Sequence, residues 1–100
     1  MTQDIALLRS QLNGETAKAD WQELQPFFAK GQLIHVSASL DLVEVAAHVA
    51  SDDTTYVTQL MQSGRIGKLD DATAIDWNER RPAIWSVVVA PWILVQEDVH

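Results

Sequence analysis

Residues 84–96, IWSVVVAPWILVQ, carry the strongest strand pattern in the chain. They are apolar at both alternating positions, which is typical of a strand covered on two sides. Pro91 cannot donate a ladder hydrogen bond, so we expect the segment to bend or change partners around Ala90-Pro91. If the segment is one alternating strand, its two faces carry different residues. One face carries Trp85, Val87, Val89, Ile93 and Val95. The other face carries Ile84, Val88, Trp92 and Leu94.

Two apolar faces on one strand exceed what a domain of 100 residues ordinarily covers, so part of this surface should stay exposed. Contiguous apolar patches mark interfaces, and two-fold pairing covers the same patch on both copies. We therefore expect a partner site or a homodimer, with Trp92 as its anchor because aromatic residues dominate interface energetics. In the alternative, the first two helices cover the strand completely through Leu8, Trp21 and Phe28. The predicted interface residues are Trp85, Val87, Val89 and Trp92.

Helix starts upstream of this segment are marked by aspartates that precede apolar residues at helical spacing. Asp20 with Glu23, and Asp41 with Glu44, have the spacing of a capping box. The first predicted helix covers 3–13 and ends at Asn13-Gly14, and the second runs from Asp20 to Gly31, with its path through Pro26 left open. A helix pair follows within 41–63, and Asp52 or Asp53 can cap its second helix. Asp70 or Asp71 caps a further helix, which Pro82 stops.

Short β-branched runs predict two more strands, near 32–37 and 65–69, beside the strand at 84–96. The fold class that follows is α+β: a single domain over residues 1–100, with the 41–63 helix pair at its centre and packed on a short sheet. The order of elements is similar to that of a winged helix, in which the pair would form a helix-turn-helix. A plain helical hairpin on a small sheet is the alternative.

The charge balance argues against nucleic acid as a partner. The chain holds 7 basic and 14 acidic side chains, a net charge of −7, which repels phosphate backbones and anionic lipid surfaces. Residues 54–63, TTYVTQLMQS, would be the recognition helix, and they contain no lysine or arginine. We therefore expect nucleic acid binding to be disfavoured and predict a non-catalytic protein-interaction or adaptor domain, with a winged-helix DNA-binding regulator as the alternative.

The absence of cysteine removes thiol nucleophiles and thiolate zinc sites. The start MTQDIALLRS lacks the pattern of a secretory signal, and no stretch is long and apolar enough to span a membrane. We expect a cytoplasmic protein without a membrane segment or a cofactor. Isolated glycines and the lack of a nucleophile-elbow serine give no catalytic motif, so an enzyme is not the favoured class.

One stripe of the predicted third helix carries side chains that could ligate a divalent metal. Because the opposite side of that helix is its core face, a solvated polar stripe is the favoured interpretation. Among the other histidines, His35 alternates with apolar neighbours in a strand and is either solvent-facing or a hydrogen-bonded partner in the sheet, whereas His100 is terminal. The metal candidates are Asp41, Glu44, His48 and Asp52.

Several segments together resemble a small bacterial family, the domain of unknown function 2288. The segments are Trp21-x-Glu23-Leu24, Phe27-Phe28-Ala29-x-Gly31, Leu40-Asp41-Leu42-Val43-Glu44-Val45-Ala46, Asp52-Asp53, and Val89-Ala90-Pro91-Trp92-x-Leu94-Val95-Gln96. The likeness runs over nearly all of residues 15–96. It implies a bacterial, stand-alone, single-domain protein, and it brings no activity, ligand or catalytic residue to transfer.

Overall fold

The computed structural model describes residues 5–99, and in that range five helices accompany one five-stranded sheet. The elements in chain order are α1 (Ile5–Glu15), β1 (Ala17–Ala19), α2 (Trp21–Ala29), β2 (Leu33–Val36), α3 (Leu42–Ala50), α4 (Thr54–Gln62), β3 (Ile66–Lys68), α5 (Asp71–Arg80), β4 (Ile84–Val89) and β5 (Trp92–Glu97). The predicted α+β class is confirmed.

The strands are ordered β1-β4-β5-β2-β3 across the sheet. Strands β2 and β5 run parallel, and the other neighbouring pairs are antiparallel. Strand β5 therefore lies at the centre, and β1 and β3 are the two edges. Successive residues of β5 point to opposite faces of the sheet, and residues 93–95 are buried in succession because helices cover both faces.

Helices cover both faces of the sheet. The first face, here called the α3 face, carries buried side chains that pack with α1 and α3, namely Val36, Ile66, Val87 and Leu94. The second, the α5 face, carries buried side chains that pack with α2 and α5, namely Leu33, Ile84, Ile93 and Val95. Trp77 of α5 is 2% exposed and meets Trp21 of α2 edge-on, with ring centroids 6.2 Å apart. These two aromatic rings fix α2 and α5 on the same side of the sheet.

The 84–96 segment is a hairpin, so the expectation of one strand is wrong, while the expected bend at Ala90-Pro91 is confirmed. The reversal pairs Val89 with Trp92 and Val87 with Leu94 across adjacent strands. Directly opposite residues share a face, so the alternation restarts after the turn. The expected grouping of Ile93 and Val95 with the Trp85 face is therefore wrong, because both lie on the α5 face.

Helix boundaries differ from the predictions at two places. Helix α1 runs through Gly14 to Glu15, because Gly14 keeps a negative φ and Thr16 closes the helix by donating to the Leu12 carbonyl at 2.7 Å. The predicted stop at Asn13-Gly14 is therefore wrong, and residues 3 and 4 of that helix lie outside the described range. Helix α2 continues through Pro26 and ends two residues before Gly31, whose φ is +70°.

The helix pair is present as α3 and α4, but the sheet, not the pair, forms the centre of the fold. Four residues of α3 are buried, whereas α4 has none that is fully buried. Strand β1 was not predicted, because its sequence AKA has no strand pattern and it exists only by pairing with β4. Within residues 5–99, no helix is both long and apolar enough to cross a bilayer.

Candidate functional site

An apolar groove of about 190 Å³ lies between α4 and the β3 side of the α3 face. Strands β2, β3 and β5 contribute its floor, and α3 and α4 contribute its wall. The side chains that define it are Ile34, Val49, Val57, Met61, Trp92 and Leu94. Such a concave apolar surface can receive apolar side chains of a ligand or of a partner.

Helix α4 leaves this groove open because it covers the sheet incompletely. Val57 and Leu60 pack on the α3-face core, whereas Met61 keeps 57% of its surface exposed. Asp53 fixes the start of the helix, since its side chain accepts a hydrogen bond from the Tyr56 N–H at 3.2 Å. The prediction that Asp52 or Asp53 caps this helix is confirmed for Asp53.

The two ends of the groove differ in charge. At one end the Lys68 ammonium lies 5.9 Å from the centroid of the Trp92 ring, a cation–π distance. At the other end, the groove meets a shallow depression that shares Val49 and Val57 with it and contains Asp52 and Asp53. The apolar centre is therefore flanked by one cationic and one acidic group of side chains.

His48, one of the metal candidates, joins α3 to the start of α4. Its Nε2 lies 3.1 Å from a Glu44 oxygen and its Nδ1 lies 3.0 Å from an Asp53 oxygen, while its ring stacks on Tyr56 at 3.7 Å. Glu44 also pairs with Arg9 of α1, and this hydrogen bond, together with the bond from His48, lowers the pKa of the Glu44 carboxyl. The pKa of Asp53 is lowered by hydrogen bonds from the Tyr56 backbone and from His48. This network holds three helices together.

The structure brings together only two of the four metal candidates, Glu44 and His48. The Asp41 carboxylate accepts from the N–H groups of residues 43 and 44 and caps α3, as its sequence position predicts. Asp52 lies in the turn with a φ of 60°, and Asp53 takes the place beside His48. Across residues 5–99, no three potential ligands converge on a common point. Asp41 therefore caps a helix, and Glu44 and His48 form bonds within α3 and to its neighbouring helices.

A second concavity, a polar cleft of about 510 Å³, lies on the α5 face between α5 and the β3 edge. His35 stands at its floor, with its ring edge-on to Trp77 at a centroid distance of 5.4 Å. Burial lowers the pKa of His35 from 6.5 more than the charges of Asp70 and Glu97 raise it, so the imidazole is neutral at neutral pH. Sequence reasoning on a lone strand histidine did not identify this cleft, because α5 and β3 form it only in the folded chain.

The charged side chains of the polar cleft are partly paired. Arg80 donates to both oxygens of Asp76 at 2.7 Å and also to Glu97, which ties α5 to β5. Asp70 accepts from the Thr73 N–H at 2.8 Å and caps α5, and the bonds from Thr73 lower its pKa. Among the described residues, Arg65 forms no salt bridge. The cleft therefore combines a neutral imidazole with ionised carboxylates.

All four predicted interface residues lie on the α3 face. Val87 is 1% exposed and belongs to the core of that face. Trp85 is partly covered by Lys18, whose ammonium lies 4.9 Å from the ring centroid. Trp85, Val89 and Trp92 are all partly buried, and Trp92 is the one of the four that lines the apolar groove.

The comparisons with known proteins agree with the resemblance found in the sequence. The family described as protein of unknown function (DUF2288) matches residues 7–97, and the chain belongs to it. The NMR solution structure of PA1075 from Pseudomonas aeruginosa is 47% identical, with a TM-score of 0.83, covering 100% of this chain and 93% of that chain. No curated protein matches the chain.

Proposed function

We propose that this chain is a non-catalytic protein-interaction domain and that its partner contacts the apolar groove around Trp92. The observation that carries the proposal is the groove itself, where a partly exposed aromatic ring lies among apolar side chains under an incompletely packed helix. Aromatic residues in such pockets are the usual anchors of protein interfaces. The proposal retains the expectation of a cytoplasmic bacterial protein.

In this proposal, Trp92 is the one predicted interface residue that contacts the partner. Val87 supports the sheet from within, and Trp85 lies beneath Lys18, so neither presents a large apolar surface. Trp92 together with Met61 presents one, at the mouth of the groove. A partner that buries both would remove the exposed Met61 side chain from water and cover the exposed part of the Trp92 ring.

A winged-helix-like regulator of DNA is the alternative that the helix pair raises. Its recognition helix would be α4, which carries no lysine or arginine and begins beside the Asp52 and Asp53 carboxylates. Phosphate contacts supply most non-specific affinity, so the charge of α4 disfavours this function. We expect no salt-sensitive retention of the protein on heparin or duplex DNA. Micromolar binding that weakens steeply with salt would replace the interaction proposal by the DNA-binding one.

The experiment that tests the proposal uses two matched variants as baits in cells that naturally express the chain. Met61→Asp puts a charge at the mouth of the groove, and Gln59→Asp adds the same charge elsewhere on the exposed surface of α4. We expect proteins captured by the wild type and by Gln59→Asp to be lost with Met61→Asp, while all three proteins unfold at similar temperatures. Equal capture by both variants would contradict the proposal.

A second copy of the chain is the alternative occupant of the groove, in line with the predicted homodimer. Sedimentation equilibrium of the wild type and of Met61→Asp separates the two occupants. A wild-type dimer that Met61→Asp converts to a monomer would assign the groove to self-association. A wild-type monomer would leave the groove to a different protein, as proposed.

A further inference from the structure

We propose that the partner adds an extended segment to the open edge of β3, and that this segment alternates apolar and basic side chains. The inference deepens the proposed function and rests on it, because it names how the partner is held and what chemistry it carries. It follows from three features that meet at β3: free backbone groups, a concavity on each face of the sheet, and an excess of carboxylates over guanidinium groups in one of these concavities.

The register of β3 directs two residues toward the open edge. Val36 pairs with Ile66, His35 with Gly67, and Ile34 with Lys68 in an antiparallel ladder. The Ser37 N–H donates to the Arg65 carbonyl at 2.8 Å and the Leu69 N–H to the Leu33 carbonyl at 3.1 Å. Bonds toward β2 therefore fall at residues 65, 67 and 69, since such bonds alternate along an antiparallel pair. The N–H and C=O groups of Ile66 and Lys68 point away from the sheet, where another strand can pair with them.

The two concavities described above lie on opposite faces of this edge. Ile66, Gly67 and Lys68 line both concavities. By the register, Ile66 and Lys68 share the α3 face of the apolar groove, whereas Gly67 shares the α5 face of the polar cleft with His35. In an added strand, residues opposite Ile66 and Lys68 would share their face and approach the apolar groove. The residue opposite Gly67 would share the face of His35 and enter the polar cleft.

Charge selects the side chain that fits the polar cleft. The cleft is lined by three carboxylates, on Asp70, Asp76 and Glu97, by the guanidinium groups of Arg65 and Arg80, and by a third cationic side chain, Lys68. Since the His35 imidazole is neutral and can accept a hydrogen bond, the cleft favours a cationic donor. The remaining cation, Lys68, directs its ammonium to Trp92 on the other face. A lysine or arginine of the partner fits this site, and the net charge of −7 favours such a partner at long range.

Gly67 makes the polar cleft accessible from the edge. Its φ is outside the left-handed region, and a Cβ built on it meets no atom within 4 Å. The position thus has no conformational need for glycine, yet a side chain there would stand between the edge and His35. Glycine inside a strand often marks a place where another backbone or a ligand approaches closely.

The probe is a blocked nine-residue peptide of alternating valine and lysine, titrated into ¹⁵N-labelled full-length protein at low salt. A peptide of alternating valine and glutamate is the matched control. We expect the lysine peptide to shift the amide signals of residues 64–69 and the Trp92 indole signal. The glutamate peptide should bind at least about tenfold more weakly, because its carboxylates face those of the cleft.

Two pairs of variants test the edge and the cleft separately. Lys68→Pro removes an N–H that points to the open edge, and Lys68→Ala controls for the lost ammonium. We expect the proline variant to bind the lysine peptide at least about fivefold more weakly than the alanine variant. Gly67→Leu fills the cleft entrance, and Ala17→Leu adds the same side chain at the opposite edge of the sheet. Gly67→Leu should weaken binding of the lysine peptide, whereas Ala17→Leu should leave it unchanged. This second pair of variants still tests the proposal if Lys68→Pro does not fold.

The outcomes separate this inference from the proposed function. Equal binding of the two peptides, or shifts confined to residues outside 64–69, would overturn the strand-pairing proposal. If a natural partner depends on Met61 but is indifferent to Gly67→Leu, the interaction function stands and the strand-pairing mode is wrong. A wild-type dimer that Gly67→Leu converts to a monomer would replace the basic segment by a second copy of the chain.

Discussion

Substitution of Gly67 by valine should stabilise the protein although it narrows the entrance to the polar cleft. Gly67 lies in the middle of β3, paired with His35, and its backbone conformation is open to any residue. An added Cβ meets no atom within 4 Å, so the first carbon of the new side chain has open space. If valine is more stable at this position, the presence of glycine is explained by the proposed need for an open cleft entrance.

The expected magnitude follows from two contributions. Glycine in a strand interior costs about 0.5–1 kcal/mol in conformational entropy. A β-branched side chain adds to this through its fit to a pleated, half-buried surface, on a scale that spans about 1 kcal/mol. We therefore expect Gly67→Val to raise the free energy of unfolding by about 0.5–2 kcal/mol, and Tm by about 2–16 °C.

Thermal and urea unfolding of the variant measure this change, with Gly64→Val as the control. Gly64 has a φ of +74°, and valine there should lose about 1–3 kcal/mol. If Gly67→Val destabilises the protein as much as Gly64→Val does, the space beside His35 is not open. That result would refute the assignment of Gly67 as the entrance to the polar cleft.

Three further predictions concern the core and the titratable groups. Trp77→Ala should lower the free energy of unfolding by about 3–5 kcal/mol, because this 2% exposed ring joins α5 to the sheet. Urea unfolding measures the change, and a loss under about 1 kcal/mol would contradict that role of the ring. Folding lowers the pKa values of Glu44 and Asp53, so the two carboxylates stabilise the folded protein at pH values above their ordinary pKa values of 4.5 and 3.8. This contribution to the free energy of unfolding is lost as the pH falls through the folded pKa values. A Tm that does not fall in this acidic range would contradict the His48 network. The imidazole of His35 should titrate below 6.5 in an NMR pH series, because burial lowers its pKa, and a midpoint above 6.5 would show that it is not desolvated.

Local signals in the sequence predicted the helix starts well. Asp20, Asp41, Asp53 and Asp70 all accept hydrogen bonds from first-turn amides, as their positions predicted. Such bonds span two or three residues, so the local sequence is sufficient to specify them. The end of α1 was harder to predict, because Gly14 is compatible with both helix and turn, and packing of Leu12 in the core lets the helix continue.

Long-range pairing accounts for what the sequence could not predict. The three-residue strand β1 has no strand pattern of its own and forms only by pairing with β4. The paired residues Ala17 and Ser86 are about 70 residues apart in the sequence. The hairpin turn at residues 90–91 reversed the facing of Ile93 and Val95 relative to a continuous strand. The polar cleft could not be predicted for the same reason, because His35, Asp70 and Glu97 come from separate elements.

Amide hydrogen exchange at the edge of β3 tests the strand-pairing proposal most directly. The measurement compares the protein alone with the protein saturated by the alternating valine and lysine peptide. Exchange at the Ile66 and Lys68 amides should slow on binding, whereas the Gly67 amide, which faces β2, should change little. Unchanged exchange at Ile66 and Lys68, with protection only on α4 or elsewhere, would contradict strand pairing at this edge.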